Sequence, residues 1–216
     1  MRRLRVGTEQ ERTHAASEAA ACLGAGGWIV YPTETVYGFG CALVQPVLHD
    51  LAVAKRRGRE GPLLLLVPKE WDSRALHWTE SARRLAAEFW PGPLTLALEA
   101  DAGVFPEEVT AHDGTVAIRC SSHPVASAVV QALGGPLTST SANVANEPPA
   151  LDADAAAAAA VELGLAMPPL ILDGGVLEPS LPSTLVRVIG DVASVLRAGA
   201  IGTGDIRRVL GEANVQ

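Results

Sequence analysis

The sequence predicts an α/β domain built on a mixed sheet, in which some neighbouring strands run parallel and others antiparallel. Segments with strand patterns and segments with helical spacing alternate along the chain, which is typical of α/β folds. Several strands also follow one another directly, and Ile189-Gly190-Asp191 separates two of them as a hairpin turn would. The run Leu63–Val67 is apolar throughout, which indicates a central strand buried on both faces. These patterns predict a single domain over residues 1–216, with a twisted mixed sheet and flanking helices.

In the first half of the chain, a capping box at Thr8–Glu11 predicts a helix over residues 9–23. The apolar run Trp28–Val30 predicts a buried strand, and Pro32 ends it because proline lacks a backbone donor. Gly38 and Gly40 suit tight turns just beyond. The spacing of apolar residues predicts further helices at 47–57, 70–77 and 81–89, and strands at 63–67 and 94–98.

In the second half, a strand is expected over 115–120, and His123-Pro124 starts a helix that reaches about residue 133. A short strand at 137–139 leads into a polar loop at 140–149. An alanine-rich helix follows over 152–164, then a strand at 170–172. The hairpin strands are expected at 183–188 and 192–197, and Thr203 caps a last helix that reaches about residue 210.

The composition suits a protein with a sizeable aliphatic core, since 48% of the 216 residues are hydrophobic and only 4% are aromatic. The three cysteines are far apart and show no CxxC spacing, which argues against a disulfide framework or a thiolate zinc site. No run of 18 apolar residues predicts a membrane span, and no apolar segment follows the basic start. We therefore expect a cytoplasmic protein with reduced thiols.

The charge pattern limits the classes of ligand. A formal net charge of −7 disfavours general nucleic-acid binding, so any RNA contact must be local and weak. The segment Lys55–Arg59 nevertheless carries four cations in five residues, which suits a polyphosphate clamp but also a solvated helix end. The sequence contains no GxSxG, GxxxxGK[ST], HExxH or GxGxxG motif, so serine-hydrolase, Walker-type, zinc-protease and Rossmann chemistry have no local support.

Three polar groups lie at or just beyond the ends of predicted strands, where small-molecule sites are often built. The first is Thr33-Glu34-Thr35, which could line a site or cap a strand. The second is Arg119, which could hold a carboxylate with its planar fork or form a structural ion pair. The third is Thr138–Asn143, with five hydroxyl or amide side chains in six positions, which suits a polar pocket or an ordinary Ser/Thr turn. Glu34 could be a supporting group or a weak acid or base.

Taken together, eight segments resemble the YrdC-like threonylcarbamoyl-AMP synthase family, in its short form without the extra C-terminal domain. They occur in the family's order and cover nearly the whole chain, which makes a chance match improbable. The segments are Tyr31–Gly38, Lys55–Arg57, Trp90–Thr95, Thr115–Arg119, His123-Pro124, Ser139–Asn143, Ser183–Val186 and Leu196–Gly199.

The resemblance implies a mixed sheet curled around an open concave cavity, the YrdC-like fold. It also implies a nucleotidyltransferase that condenses L-threonine, bicarbonate and ATP into threonylcarbamoyl-adenylate and pyrophosphate, with Mg²⁺ accompanying ATP. A separate tRNA-modifying transferase complex then uses the product to form N6-threonylcarbamoyladenosine. No protein nucleophile is needed in such a reaction, so the enzyme's contribution is positioning and charge neutralisation.

The family pattern also implies roles for particular residues. Lys55 and Arg57 are the favoured catalytic residues, acting by position, and no residue is assigned to a metal. The residues implied for substrate binding are Thr33, Thr35, Arg119, Ser139, Ser141 and Ser183. Those implied for ATP binding are Lys55, Arg57, Thr115, Asn143 and Arg197.

The sequence departs from the family pattern at Gly58, Gly61, Leu66 and Ala145-Asn146, which leaves room for a paralogue that has lost activity. Two other readings stay open. One is a related enzyme that forms a carbamoyl-adenylate from carbamoyl phosphate. The other is an RNA-binding or ribosome-associated module that uses the same concave face.

Overall fold

The structure is a computed structural model that describes residues 1–69, 71 and 73–215. Its described part contains ten strands in one sheet. They are β1 (Arg2–Arg5), β2 (Trp28–Pro32), β3 (Tyr37–Cys41), β4 (Leu64–Leu66), β5 (Leu94–Glu99), β6 (Thr115–Arg119), β7 (Leu137–Ser141), β8 (Leu170–Asp173), β9 (Thr184–Ile189) and β10 (Val192–Arg197).

The strand order across the sheet is β1-β8-β2-β3-β7-β4-β6-β5-β9-β10. Parallel pairing joins β8 to both β1 and β2, β4 to β6, and β5 to β9. The other neighbours are antiparallel, including the β9–β10 hairpin. The predicted α/β class with a mixed sheet is therefore confirmed.

Six α-helices flank the sheet within the described residues: α1 (Glu9–Gly24), α2 (Val47–Ala54), α3 (Glu80–Phe89), α4 (Pro124–Leu133), α5 (Ala153–Leu163) and α6 (Thr203–Leu210). The predicted capping box begins α1, where Glu11 N donates to Thr8 Oγ1 and the Glu11 carboxylate accepts from Thr8 N. His123 caps α4 through its Nδ1, and left-handed Gly164 ends α5. None of the described helices is both long and apolar enough to cross a bilayer.

The two faces of the sheet are covered unequally. One face packs on α2, α3, α5 and α6 around a core that includes Val30, Leu96 and Val186. On the other face, α1 and α4 cover the half around β2 and β8, with Ile29 and Leu172 beneath them. The remainder of this second face, over β5, β6 and β7, stays open and forms the floor of the main cavity.

Several local predictions need correction. Gly38 and Gly40 lie within β3, not in turns, and Gly40 is required because an added Cβ would meet Thr138 O and the Tyr31 ring. The N-terminal strand β1 went unpredicted because its side chains are basic and it lies at the sheet edge. Strand β7 extends two residues further than expected, to Ser141.

Two predicted helices also differ from the structure. The helix expected at 47–57 ends at Ala54, since Arg56 adopts a left-handed conformation with φ of 50°. Part of the helix expected at 70–77 falls on residues 70 and 72, which lie outside the described residues. Its described remainder, 73–77, forms a turn that carries an isolated bridge from Leu76 to Ala100.

Candidate functional site

The open part of the second sheet face holds a cavity of about 1020 Å³. Alternate residues of β5 and β6 line it, because side chains two apart in a strand share a face, and the end of β7 adds Ser139, Thr140 and Ser141. The cavity brings together nine of the eleven residues that the sequence predicted for the site. They are Thr33, Thr35, Arg57, Thr115, Arg119, Ser139, Ser141, Ser183 and Arg197.

One wall of the cavity is the turn between β2 and β3. The Thr33 hydroxyl closes this turn by donating to Val36 O at 2.7 Å and accepting from Val36 N at 3.2 Å. The hydroxyls of Thr33 and Thr35 lie 3.0 Å apart. Both side chains are buried and line the cavity, so the turn presents a rigid pair of hydroxyls to a ligand.

Arg119 occupies the end of β6 next to this turn. Its Nε donates to Gly92 O at 3.2 Å, and its Nη2 lies 2.6 Å from Glu34 Oε1. Burial alone would raise the pKa of Glu34, but Arg119 and the hydrogen bond from Ser121 outweigh it, so the pKa is lowered. Glu34 is therefore the carboxylate partner of Arg119, which the sequence left unidentified.

Arg197 lies at the other side of the cavity. Its Nε and Nη2 donate to Ser183 O at 3.1 and 2.9 Å, and Nη2 also contacts Ser183 Oγ at 2.9 Å. The Ser183 hydroxyl in turn lies 2.8 Å from that of Thr95, whose side chain is 1% exposed. Ser183 was predicted to bind threonine and Arg197 to bind ATP. Because these two residues are hydrogen-bonded, the predicted threonine-binding and ATP-binding residues are adjacent in the cavity.

Lys55 and Asn143 are the two predicted residues outside the main cavity. They line an adjoining space of about 290 Å³ that shares Arg57 and Ser141 with it. The Lys55 ammonium donates to Ser141 O at 2.9 Å, Asn143 O at 2.5 Å and Asn143 Oδ1 at 2.7 Å. All three ammonium donors therefore have partners within the protein.

The surroundings of Lys55 favour its neutral form. Burial and the neighbouring Arg57 charge lower its pKa to about 8. Lys55 is only 5% exposed. Its three hydrogen bonds make it a clamp on the segment that carries Ser141 and Asn143.

Four arginines and two acidic residues, Glu60 and Asp113, line the cavity, so cationic side chains predominate. Among the described residues, no carboxylate forms an ion pair with Arg57 or Arg197. Burial lowers the pKa of Arg197, and the charges of Arg119 and Arg57 lower it further. Uncompensated guanidinium groups that repel one another favour the binding of an anion between them.

Several residues in or next to the cavity were not predicted from the sequence. Thr95 could have been noticed as the one hydroxyl in the apolar part of strand Leu94–Glu99. Asp113 accepts from Thr115 N at 3.1 Å and from its hydroxyl at 2.7 Å, which orients a predicted ATP contact. Ser180 donates to Thr35 O at 3.1 Å and had no sequence signal, because its partner is distant along the chain.

Fold and cavity together define a class of α/β proteins whose mixed sheet leaves an arginine-rich cavity on one face. The sequence matches the family described as "Telomere recombination" (Sua5, YciO and YrdC) over residues 21–199. This chain belongs to that family.

Relatives of known name support the assignment. A Mycobacterium tuberculosis protein with the provisional name threonylcarbamoyl-AMP synthase is 35% identical over 205 residues, covering 94% of this chain and 92% of the relative. A Coxiella burnetii protein named threonylcarbamoyl-AMP synthase is 38% identical over 148 residues, covering 65% of this chain and 76% of the relative.

Solved structures agree with the fold. The crystal structure of Pyrococcus abyssi Sua5 complexed with L-threonine superposes with a TM-score of 0.85 at 29% identity, and the match covers all of this chain but 62% of that one. This chain therefore spans less than two thirds of the archaeal protein. Escherichia coli YciO superposes with a TM-score of 0.78 at 23% identity, covering 95% of this chain and 98% of that one, which supports the fold.

Proposed function

We propose that this chain is a threonylcarbamoyl-AMP synthase, which forms threonylcarbamoyl-adenylate and pyrophosphate from L-threonine, bicarbonate and ATP. The observation that carries the proposal is the convergence of Arg57, Arg119 and Arg197 with clustered hydroxyls in one cavity. Its volume of about 1020 Å³ lies at the upper end of ordinary ligand sites, which suits a nucleotide together with an amino acid. The names of the relatives support the same activity.

In this proposal, the amino acid binds at the wall formed by Thr33, Thr35 and Arg119, where a guanidinium can hold its carboxylate. The nucleotide binds along Arg57, Thr115 and Arg197, whose charges offset those of the phosphates. Ser139 and Ser141 lie on β7, which is placed between β3 and β4 in the sheet. Arg197 Nη2 donates to Ser183 Oγ, and Ser141 Oγ donates to Asn143 Oδ1, which supports adjacent binding of the two ligands.

The chemistry requires positioning more than a reactive side chain. The threonine amine attacks bicarbonate to give a carbamate and water, and a carbamate oxygen then attacks the α-phosphorus of ATP while pyrophosphate leaves. Holding the reactants aligned can remove about 7–11 kcal/mol from a bimolecular barrier. Lys55 contributes by fixing the Ser141–Asn143 segment, and Arg57 by offsetting phosphate charge.

The metal and the downstream partner are parts of the same proposal. No group of three or more His, Cys, Asp or Glu side chains suited to a metal occurs among the described residues. We expect Mg²⁺ to enter with the phosphates as the MgATP substrate, because magnesium usually keeps several waters and takes phosphate oxygens as ligands. A tRNA-modifying transferase complex would then consume the adenylate.

The test is the formation of pyrophosphate and threonylcarbamoyl-adenylate from ATP by the purified chain. The proposal predicts that turnover requires both threonine and bicarbonate, because the carbamate is the nucleophile. Turnover that continues without threonine would contradict it. Turnover that starts only when carbamoyl phosphate replaces threonine would identify the related carbamoyl-adenylate chemistry instead.

A further inference from the structure

The carboxylate of Glu34 lies behind the wall of the amino-acid subsite, and the proposed reaction gives it no role. It belongs to the turn that carries Thr33 and Thr35, but its side chain points to Arg119 and to the segment after β6. Ser121 donates its hydroxyl to Glu34 Oε2, and Ser122 N donates to Glu34 Oε1 at 3.2 Å. These donors leave the carboxylate satisfied and fixed in place.

Two protein groups, Gly92 O and the Glu34 carboxylate, hold the guanidinium of Arg119. Its Nε donates to Gly92 O at 3.2 Å, and its Nη2 sits 2.6 Å from Glu34 Oε1. Within the described residues, neither N–H of Nη2 is aligned on an acceptor, although the atom is buried. Arg119 lines the cavity, and Gly92 and Glu34 hold the plane of its guanidinium.

Glu34 also couples the two parts of the subsite. Its backbone belongs to the turn of the hydroxyl pair Thr33 and Thr35, and its side chain holds Arg119. Ser180 donates to Glu34 O at 3.3 Å and to Thr35 O at 3.1 Å, which anchors the same turn from the β8–β9 connection. A displacement of Glu34 would therefore change the distance between the hydroxyls and the guanidinium.

We propose that Glu34 is a positioning residue of the amino-acid subsite, which sets the direction in which Arg119 presents its guanidinium to the substrate carboxylate. The inference rests on the proposed function, because that function makes the ligand an amino acid. Glu34 itself touches no substrate in this account. It acts through Arg119, and a planar guanidinium binds a carboxylate well only when its orientation matches.

The experiment compares the wild type with Glu34→Gln, which keeps the shape of the side chain and removes its charge. We expect the KM for threonine to rise about tenfold or more, because a misoriented clamp loses much of its binding. The KM for ATP should stay within about twofold, since Arg57 and Arg197 do not contact Glu34. Threonine-dependent turnover of the wild type is established first, so failure of the proposed function is seen before the variant is tested.

Two further variants separate positioning from general damage. Glu88→Gln removes the carboxylate of an exposed ion pair, Arg208–Glu88, and should leave both KM values unchanged. Arg119→Lys combined with Glu34→Gln should raise the threonine KM no more than Arg119→Lys alone, because Glu34 acts through Arg119.

Three results would overturn the proposal: a threonine KM unchanged in Glu34→Gln, an equal rise in both KM values, or independent effects of Glu34→Gln and Arg119→Lys. If Glu34→Gln fails to fold, Glu34→Asp keeps the charge on a shorter side chain that cannot reach both Ser121 and Arg119. The proposal then predicts an intermediate threonine KM with an unchanged ATP KM, and an unchanged threonine KM would overturn it.

Discussion

At the scale of single residues, Lys55 shows how a charge can serve a site without facing its ligand. Its ammonium is buried against Ser141 O, Asn143 O and Asn143 Oδ1, so it ties the end of α2 to the segment after β7. The cost is desolvation, which lowers the pKa of Lys55 to about 8. The gain is a fixed position for Ser141 and Asn143, two of the predicted ligand contacts.

Replacing Lys55 with methionine should destabilise the protein by about 1–3 kcal/mol, because three oxygen acceptors lose a charged donor while the buried volume is kept. The KM for ATP should rise as Asn143 loses its support. Denaturant unfolding measures the first effect and steady-state kinetics the second. Lys69→Met removes the chain's other lysine, an exposed one, and should change stability by less than about 0.5 kcal/mol. Equal effects of the two substitutions would contradict the clamp.

The pH dependence of the unfolding free energy, compared between the wild type and Lys55→Met, gives a second test. The pKa of Lys55 in the folded protein is about 8, below the ordinary value of 10.5, so the unfolded chain binds more protons between these values. The unfolding free energy of the wild type should therefore rise with pH over this range, relative to that of Lys55→Met. A difference that stays constant across the range would contradict the lowered pKa.

At the scale of elements, the turn from β10 to α6 presses directly on the start of β9. A Cβ added at Gly199 would overlap the backbone of Pro182, Ser183 and Thr184. Ala200 N donates to Pro182 O at 2.9 Å, which holds the two segments together. Because Arg197 precedes this turn and bonds Ser183, the close approach determines where its guanidinium lies.

Gly199→Ala should therefore push the turn away from β9, destabilise the protein by about 1–3 kcal/mol and raise the KM for ATP through displacement of Arg197. Gly204→Ala is the matched control, since an added Cβ there meets nothing within 4 Å in helix α6. It should stabilise the protein by up to about 1 kcal/mol. Thermal unfolding of both variants measures these changes in stability. A Gly199→Ala variant as stable as the wild type would show that the close contact between Gly199 and the start of β9 does not constrain the fold.

At the scale of the whole molecule, a chain with a net charge of −7 keeps a cavity lined by four arginines and two acidic residues. The segment Lys55–Arg59 shows how this is achieved. Lys55 is buried in a protein contact, and Arg57 and Arg59 line the main cavity. Most of this cation cluster is thus turned towards a small-molecule site, which gives little support to an RNA-binding face.

The sequence predicted the fold class and most elements, because capping residues and apolar runs act locally. The capping box of α1, the strand at Leu64–Leu66 and the β9–β10 hairpin all lie where local patterns indicated. The grouping of Thr35, Arg119 and Arg197 in one cavity came from the resemblance and not from spacing, since these residues are far apart along the chain.

Other features could not be predicted because they depend on distant partners. Strand β3 contains Gly38 and Gly40, whose local preference is for turns, and only its pairing with β2 and β7 makes them a strand. The direction of the Lys55 side chain depends on oxygens of Ser141 and Asn143, more than eighty residues away. The Glu34–Arg119 pair likewise joins two separate parts of the chain.

The proposed function requires one cavity to hold an amino acid and a nucleotide side by side. Calorimetric titration of threonine, with and without an ATP analogue that resists cleavage at the α-phosphate, tests it most directly. The account predicts that threonine still binds one site per chain when the analogue saturates the protein. It also predicts that Arg119→Lys weakens threonine binding and that Arg197→Lys weakens binding of the analogue, each by about tenfold. Competition between the two ligands, or indifference of both to either substitution, would contradict it.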